Sequence, residues 1–293
     1  MDEVRLKRLL SLQKMESTEA EVYRRLAKMQ SDPVNRTILE GIALEEERHE
    51  SVISKITGKA VAPNKFQVMK HVILARIFGF TFSIMMMEET ERDISSEYRS
   101  LGLVEIADEE EEHEQKMISM LEEERLRYSG SIVLGMSDAL IELTGALAGL
   151  TFALKAMDLI ALAGLVTGIA AAFSMGASEY LSSRAEKRSG SAVKAAFFTW
   201  ISYLITVILL VSPFLILNSK DGSLIGLEIY EAALVFTFTI GLIIVAVFNF
   251  YTSVVERVSF KSRFFEMAGI LGVVSLISYG IGIALGIALG VNA

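Results

Sequence analysis

The chain has 293 residues, a formal net charge of −8 and no cysteine, and 52% of its residues are apolar. The lack of cysteine excludes disulfides, thiolate metal sites and thiol catalysis, and the acidity argues against nucleic-acid binding, which normally uses a basic patch. Residues 1–130 hold 19 basic and 26 acidic side chains, whereas residues 131–293 hold only 9 and 10. This division predicts a soluble domain over 1–128 and a membrane domain over 129–293. Helical patterns in both parts predict an all-α protein.

The soluble part is predicted to form a four-helix bundle. Its helices cover about 3–30, 34–57, a third region that ends near Ser100, and 103–127. Pro33, Gly58 and Gly102 mark helix ends, because proline and glycine favour helix boundaries. Residues 65–78 form either a short crossover helix or an extension of the third helix, and the sequence pattern leaves both alternatives open.

Charged side chains interrupt the apolar faces of all four helices. Each face repeats at three, four or seven residues, which keeps its members on one side of a helix. The interrupting residues are Glu16, Glu46, His49, Glu88, Glu91, Glu110 and His113. Buried charges normally pair with one another or bind a metal. We therefore expect these five carboxylates and two imidazoles to hold cations.

Two of these helices carry a Glu-x-x-His motif, formed by Glu46 with His49 and by Glu110 with His113. Two such motifs, with one Glu from each of two other helices, form the ligand pattern of di-iron and di-manganese carboxylate bundles. Oxygen and imidazole ligands suit iron or manganese better than copper. The other acidic residues of 109–112 are interpreted as a solvated face, and His71 as an ordinary crossover or interface residue.

These features resemble rubrerythrin and the wider ferritin-like superfamily over residues 1–127. Glu16 followed seven residues later by Tyr23 is similar to the first-helix motif of that family. Glu88-x-x-Glu91 is similar to the extra carboxylate of rubrerythrin, although Glu89 and Glu97 leave the register of this helix open. The resemblance implies a di-iron centre, with manganese as the alternative metal. The chain lacks a rubredoxin-like cysteine motif, which argues against a peroxidase.

Five apolar stretches follow residue 130, each about the 20 residues that a helix needs to cross a bilayer. They cover about 131–154, 159–181, 195–217, 230–251 and 264–290. Basic residues concentrate in the loops after the second and fourth stretches and just before the first. The positive-inside rule therefore predicts a multi-pass protein of the cell membrane, with the N-terminal domain in the cytoplasm and the C-terminus outside.

Four polar or soft side chains lie within the first two of these stretches. Asp138 and Glu142 are four residues apart, as are Met175 and Glu179, so each pair shares a helix face. A carboxylate within the bilayer costs at least about 2.5–3.5 kcal/mol and usually faces a polar path. If the two faces meet, they form a transport path that suits a divalent transition metal. Alternatively, Glu179 snorkels to the interface and Met175 only packs.

Small residues also repeat at four-residue spacing in two membrane stretches. Gly145 and Gly149 lie in the first, and Gly282, Gly286 and Gly290 lie in the last. Such spacing allows close helix contact, within one subunit or between two, and the sequence does not decide which.

The segments Gly135–Leu140, Ser174–Ser182 and Ser278–Gly282 resemble motifs of the vacuolar iron transporter family. The resemblance implies five transmembrane helices, a homodimer, and export of Fe²⁺ or Mn²⁺ from the cytosol in exchange for protons. It places Asp138, Met175 and Glu179 on the transport path, to which spacing adds Glu142. The chain departs from the family at Ala139, where glycine is usual. It also lacks the helical metal-binding insert that eukaryotic members carry between the second and third helices.

The two halves together resemble the prokaryotic membrane-bound ferritins. They predict an Fe²⁺ exporter, with Mn²⁺ as the alternative cargo, that works by proton antiport. Its cytoplasmic di-iron domain captures, senses or oxidises iron, which leaves ferroxidase activity open. The alternative is a membrane-anchored di-iron oxidase or peroxidase that acts in oxidative-stress defence. The expected partners are the transported ions, protons, the lipid bilayer and a second copy of the chain, without nucleic acid.

Overall fold

The computed structural model describes residues 2–91, 94–110, 128–186, 190–217, 223–224, 226–288 and 290, without the side chains of 88–91 and 223–224. The described chain is almost entirely helical, as the sequence predicts. It forms two compact units, Met1–Glu123 and Glu124–Ala293. We describe each unit by itself.

Capping side chains and glycine mark several of the helix ends in the first unit. They are α1 Glu3–Met29, α2 Pro33–Thr57, α3 Lys65–Phe78, α4 Phe80–Glu91, α5 Ile94–Ser100 and α6 at 104–110. Asp2 and Asp32 cap α1 and α2, since each carboxylate accepts a hydrogen bond from the backbone N–H two residues on, at 2.7 and 2.8 Å. Gly58 ends α2 in the left-handed conformation that glycine adopts most readily.

The structure decides between the two alternatives for residues 65–78. They form a separate helix, α3, which ends at Gly79, where φ is +102°. The third predicted helical region follows as α4 and α5. After a turn at Gly102, α6 begins at 104, and the rest of the predicted fourth helix, 111–127, lies outside the described residues.

The core of the first unit is apolar at both ends and polar in the middle. One apolar cluster includes Val22 on α1 and Ile42 on α2, and the other includes Leu12 on α1 and Ile53 on α2. Glu16 of α1 and Glu46 and His49 of α2 lie between these two clusters along each helix, and all three are buried. Because burying a charge in an apolar core is costly, this middle layer needs compensating partners.

The second unit contains five helices that are long and apolar enough to cross a membrane. They are α7 Ser129–Leu154, α8 Met157–Ala185, α9 Ala192–Ile216, α10 Ile229–Val255 and α11 Phe260–Ala288. They confirm the five predicted spans, with ends shifted by a few residues, and make the chain a multi-pass membrane protein. A short antiparallel hairpin, β1 Ser223–Leu224 and β2 Leu227–Glu228, lies between α9 and α10. The sequence analysis did not predict it.

Glycine lets α7 approach two neighbouring helices closely. A Cβ added to Gly282 on α11 would lie 2.2 Å from the carbonyl oxygen of Gly149 on α7. A Cβ added to Gly135 would lie 2.3 Å from the carbonyl oxygen of Thr199 on α9. Gly149 and Gly282 therefore serve a contact within one chain, whereas Gly290 lies beyond the end of α11.

Candidate metal centre and transport path

Four of the predicted metal ligands converge in the first unit. Glu16 of α1, Glu46 and His49 of α2 and Glu110 of α6 offer ligand atoms that all lie within 4.8 Å of one another. His49 Nδ1 lies 2.8 Å from Glu110 Oε1, 3.4 Å from Glu16 Oε2 and 3.5 Å from Glu46 Oε2. The first three residues are buried and Glu110 is partly buried. We call these four residues the metal-ligand cluster.

The cluster brings three carboxylates together in a largely buried place. Burial raises the pKa of Glu46 well above its usual range, and the nearby carboxylates of Glu16 and Glu110 raise it further. Burial alone would lower the pKa of His49, but its contacts with Glu110, Glu16 and Glu46 outweigh burial and raise that pKa. Crowded carboxylates of this kind are normally neutralised by a cation.

The ligand atoms of this cluster suit a divalent metal. Glu16 Oε2 is buried and forms no hydrogen bond with a described residue, and it faces the cluster at 3.4 Å from His49 Nδ1. Carboxylate oxygens with an imidazole nitrogen are ligands of iron and manganese. The described part of the molecule therefore contains a cluster that could bind such a metal.

Tyr98 contacts the cluster, a role that was not predicted from the sequence. This buried side chain of α5 donates a hydrogen bond from its hydroxyl to Glu16 Oε1. Burial and the charge of Glu16 raise the pKa of Tyr98, so the hydroxyl stays protonated and remains a donor. A signal was present in the sequence, because Tyr98 follows Glu91 by seven residues, just as Tyr23 follows Glu16.

Glu109 was also missed as a contact of this cluster, although its partial exposure agrees with its place on a mostly solvated face. Its Oε2 lies 2.8 Å from His49 Nε2, and Arg48 pairs with the same oxygen. His49 thus presents Nδ1 to the cluster while a carboxylate holds its outer nitrogen. Metal-bound histidines are commonly oriented in this way. The repeated Glu-Glu-x-x-His pattern, at 45–49 and 109–113, was the available signal.

The remaining predicted ligands cannot be placed around this cluster. Glu88 and Glu91 belong to α4, but their side chains lie outside the described residues, and so does all of His113. Their assignment as ligands stays a prediction.

Glu179 is buried inside the second unit and does not lie at the surface of that unit. Only 3% of it is exposed, and Oε1 accepts hydrogen bonds from Ser131 Oγ on α7 at 2.8 Å and Ser183 Oγ at 3.3 Å. A snorkelling side chain would instead extend towards water. The contact with Ser131 joins α8 to α7 through the carboxylate.

The other predicted path residues lie further along the same two helices. Asp138 and Met175 are partly buried, and Met175 packs against the apolar core. Glu142 Oε2 accepts a hydrogen bond at 2.7 Å from the hydroxyl of Tyr203, a fully buried side chain of α9 that the sequence analysis missed. At 1.5 Å per residue, Asp138 and Glu142 lie about 10 and 16 Å along α7 from Ser131.

Comparison with known families gives a match, and it lies in this segment. Residues 129–192 match the model of the VIT family. The matched segment contains α7, α8 and all four predicted path residues, and it supports the resemblance to vacuolar iron transporters for the membrane domain. It indicates metal-ion transport across a membrane. Neither the curated proteins nor the solved structures contain a significant match to this chain. The resemblance of the first unit to rubrerythrin stays a prediction.

Proposed function

We propose that the protein exports Fe²⁺, with Mn²⁺ as the alternative cargo, from the cytosol in exchange for protons. The observation that carries this proposal is the set of polar side chains on α7 and α8 within the VIT-matching segment. A helix that only anchors a protein has no need of such groups. The positive-inside pattern of the loops supports export, since it orients the first unit towards the cytosol.

In this proposal the metal ion passes along the carboxylates and the thioether of α7 and α8. Glu179 receives the ion near the cytoplasmic end, where Ser131 and Ser183 hold its carboxylate. Met175 and Asp138 follow at greater depth, and Glu142 lies beyond them, held by Tyr203. Protonation of a carboxylate removes the charge that binds the ion, so proton uptake from outside promotes release of the metal.

The first unit is proposed to capture metal for this path. Glu16, Glu46, His49 and Glu110 would hold the ion, with Glu88, Glu91 and His113 as further predicted ligands of a two-metal centre. Iron bound there can supply redox chemistry towards O₂ or peroxide, which is the basis of the predicted ferroxidase activity. Tyr98 and Glu109 orient the ligands that they contact. We expect the unit to act in a homodimer, as both resembled families imply.

Cellular iron content tests the proposal. In iron-loaded bacteria that lack their own exporters, expression of the protein should lower total iron measured by mass spectrometry. Glu179→Gln should abolish this effect, because the substitution removes a charge that binds the ion. Glu266→Gln, at an exposed position of α11, is the matched control and should leave export intact. Equal iron content with and without the wild-type protein would contradict the proposal.

The oxidase or peroxidase alternative is favoured by one observation, the ordered contacts of Tyr98 and Glu109 around the cluster. Peroxide consumption by the full-length iron-loaded protein separates the two functions. If the protein is mainly an enzyme, consumption should be fast, should be lost in Glu46→Ala, and should coexist with absence of iron export. Export that persists when peroxide consumption is negligible would exclude this alternative.

A further inference from the structure

A cavity of about 350 Å³ lies in the first unit, apart from the metal-ligand cluster. It is lined by residues of α1 at three- and four-residue spacing, by the first two turns of α3 with its cap Asn64, and by Met87 of α4. No residue of the metal-ligand cluster lines it. Its volume is at the lower end of the range of small-molecule sites in proteins.

The cavity is basic although the chain is acidic. Lys14 and Lys70 both line it, and neither forms a salt bridge with a described residue. Glu19 is the one acidic side chain among its described lining residues, and it is not without a partner of its own. Two ammonium groups at one cavity, in a segment with an excess of acidic side chains, favour an anionic ligand.

His71 adds a hydrogen-bond acceptor to the cavity. The side chain is 7% exposed, and its Nδ1 lies 3.3 Å from Ser83 Oγ. The Ser83 hydroxyl donates its only proton to the carbonyl oxygen of His71 at 2.9 Å. Its oxygen therefore accepts a hydrogen bond from the Nδ1–H group. Nε2 is then the nitrogen with a lone pair, and no described residue donates to it.

The electric field at His71 also argues against a metal ligand in this cavity. Burial lowers the pKa of His71 to about 4, and the charge of Lys70 contributes to the shift. The charge of Lys70, which contributes to this shift, also opposes a divalent cation at the same place. An anion is instead attracted by the ammonium groups of Lys14 and Lys70.

We propose that this cavity binds a small oxyanion that also carries an O–H group, of the type of hydrogen phosphate or a hydroxycarboxylate. Lys14 and Lys70 neutralise its charge, and His71 Nε2 accepts the hydrogen bond from its hydroxyl. The side-chain amide of Gln67, on the turn of α3 that also carries Lys70, is a further donor. This binding site does not depend on metal export.

Calorimetric titration of the full-length protein in detergent tests the site, with inorganic phosphate, citrate and sulfate as probes. Sulfate has the size of phosphate but no O–H group at neutral pH. We expect phosphate or citrate to bind with 1:1 stoichiometry, and sulfate to bind more weakly by about tenfold or more, because the acceptor at His71 stays unpaired. Whichever of phosphate and citrate binds identifies the chemical type of the anion.

Substitutions locate the binding. Lys14→Gln and Lys70→Gln should each weaken binding by about tenfold, the expected effect of losing one charge-assisted hydrogen bond. Lys28→Gln, at an exposed position of α1, is the matched control and should have no effect. The double variant Glu46→Ala/Glu110→Ala should still bind the anion, which separates this site from the metal-ligand cluster.

Three results would overturn the proposal. The first is that neither phosphate nor citrate binds at concentrations up to about 10 mM. The second is that sulfate and phosphate bind with equal affinity. The third is that Lys14→Gln and Lys70→Gln leave the affinity for the anion unchanged. Loss of anion binding in the metal-ligand variant would assign the anion to the metal centre instead, and would also overturn it.

Discussion

At the scale of single residues, the contacts of His49 explain how one imidazole serves two partners. Nδ1 faces the carboxylates of the metal-ligand cluster, while Nε2 lies 2.8 Å from Glu109, which Arg48 holds in turn. The pKa of Glu109 is raised by partial burial but lowered more by His49 and Arg48, so the residue stays charged and accepts the Nε2 proton. Glu109 is thus a positioning residue for the proposed metal site.

Replacing Glu109 with Gln should weaken metal binding. Partners that orient a ligating histidine typically contribute 10- to 100-fold in affinity, and we expect about tenfold here. Competition titration of Mn²⁺ against a chelating dye measures the effect in the full-length protein. Glu105→Gln, on the exposed side of α6, is the control. Equal affinity of Glu109→Gln and wild type would show that the contact does not orient the ligand.

His71 gives the first unit a defined acid response. Its pKa of about 4 in the folded chain lies below the ordinary value of 6.5, because burial and Lys70 disfavour the charged form. The contribution of neutral His71 to the free energy of unfolding is present above pH 6.5 and is lost as the pH falls through about 4. It amounts to about 3 kcal/mol at most.

An NMR titration of the histidine ring signals tests this response, with His71→Gln for assignment and no multivalent anion in the buffer. We expect the His71 signal to keep its neutral position down to about pH 5. In Lys70→Gln the midpoint should move upwards, since one cause of the shift is removed. A midpoint near 6.5 in wild type would contradict the burial of this side chain.

At the scale of helices, the contact between α7 and α11 depends on the absence of side chains. Gly282→Ala places a methyl group where the carbonyl oxygen of Gly149 lies 2.2 Å away, so the two helices must separate. We expect a loss of about 1–3 kcal/mol, as for other overpacked contacts. Gly280→Ala, on the same helix with no atom within 4 Å of the added carbon, is the control.

Thermal unfolding in detergent compares the two glycine variants. The control should be neutral or slightly stabilised, because alanine favours a helix more than glycine does. The account of this contact fails if both variants melt at the same temperature.

The sequence predicted most elements because their signals are local. Hydropathy located the five spans, and Pro33 and Gly58 located the ends of α2. The separate α3 remained open because the turn at Gly79 lies between two stretches that are both helical in pattern. The hairpin at 223–228 escaped notice because strands of two residues are too short for alternation.

The same reasoning separates the predicted from the missed site residues. Glu16, Glu46 and Glu110 were recognisable as charges at core positions of a helix, which is a property of one helix alone. The contacts of Tyr98 with Glu16 and of Glu109 with His49 cross between helices. They depend on how the helices are aligned, and helical periodicity carries no information on that alignment.

At the scale of the whole molecule, the chain joins a charged unit with a largely buried metal-ligand cluster to a membrane unit whose apolar helices carry a few polar side chains. The VIT-family match covers only residues 129–192, and the function proposed for the whole depends on those helices as a path. Its central claim is that metal and protons move through the second unit in opposite directions.

Fe²⁺ flux into proteoliposomes that contain a pH-sensitive dye tests this claim most directly. Wild type is compared with Asp138→Asn and with Asp158→Asn, which alters an exposed carboxylate in the first turn of α8. The account predicts Fe²⁺ flux with opposite proton movement in wild type and Asp158→Asn, and loss of both in Asp138→Asn. Absence of flux in wild type while the first unit still binds metal would contradict it.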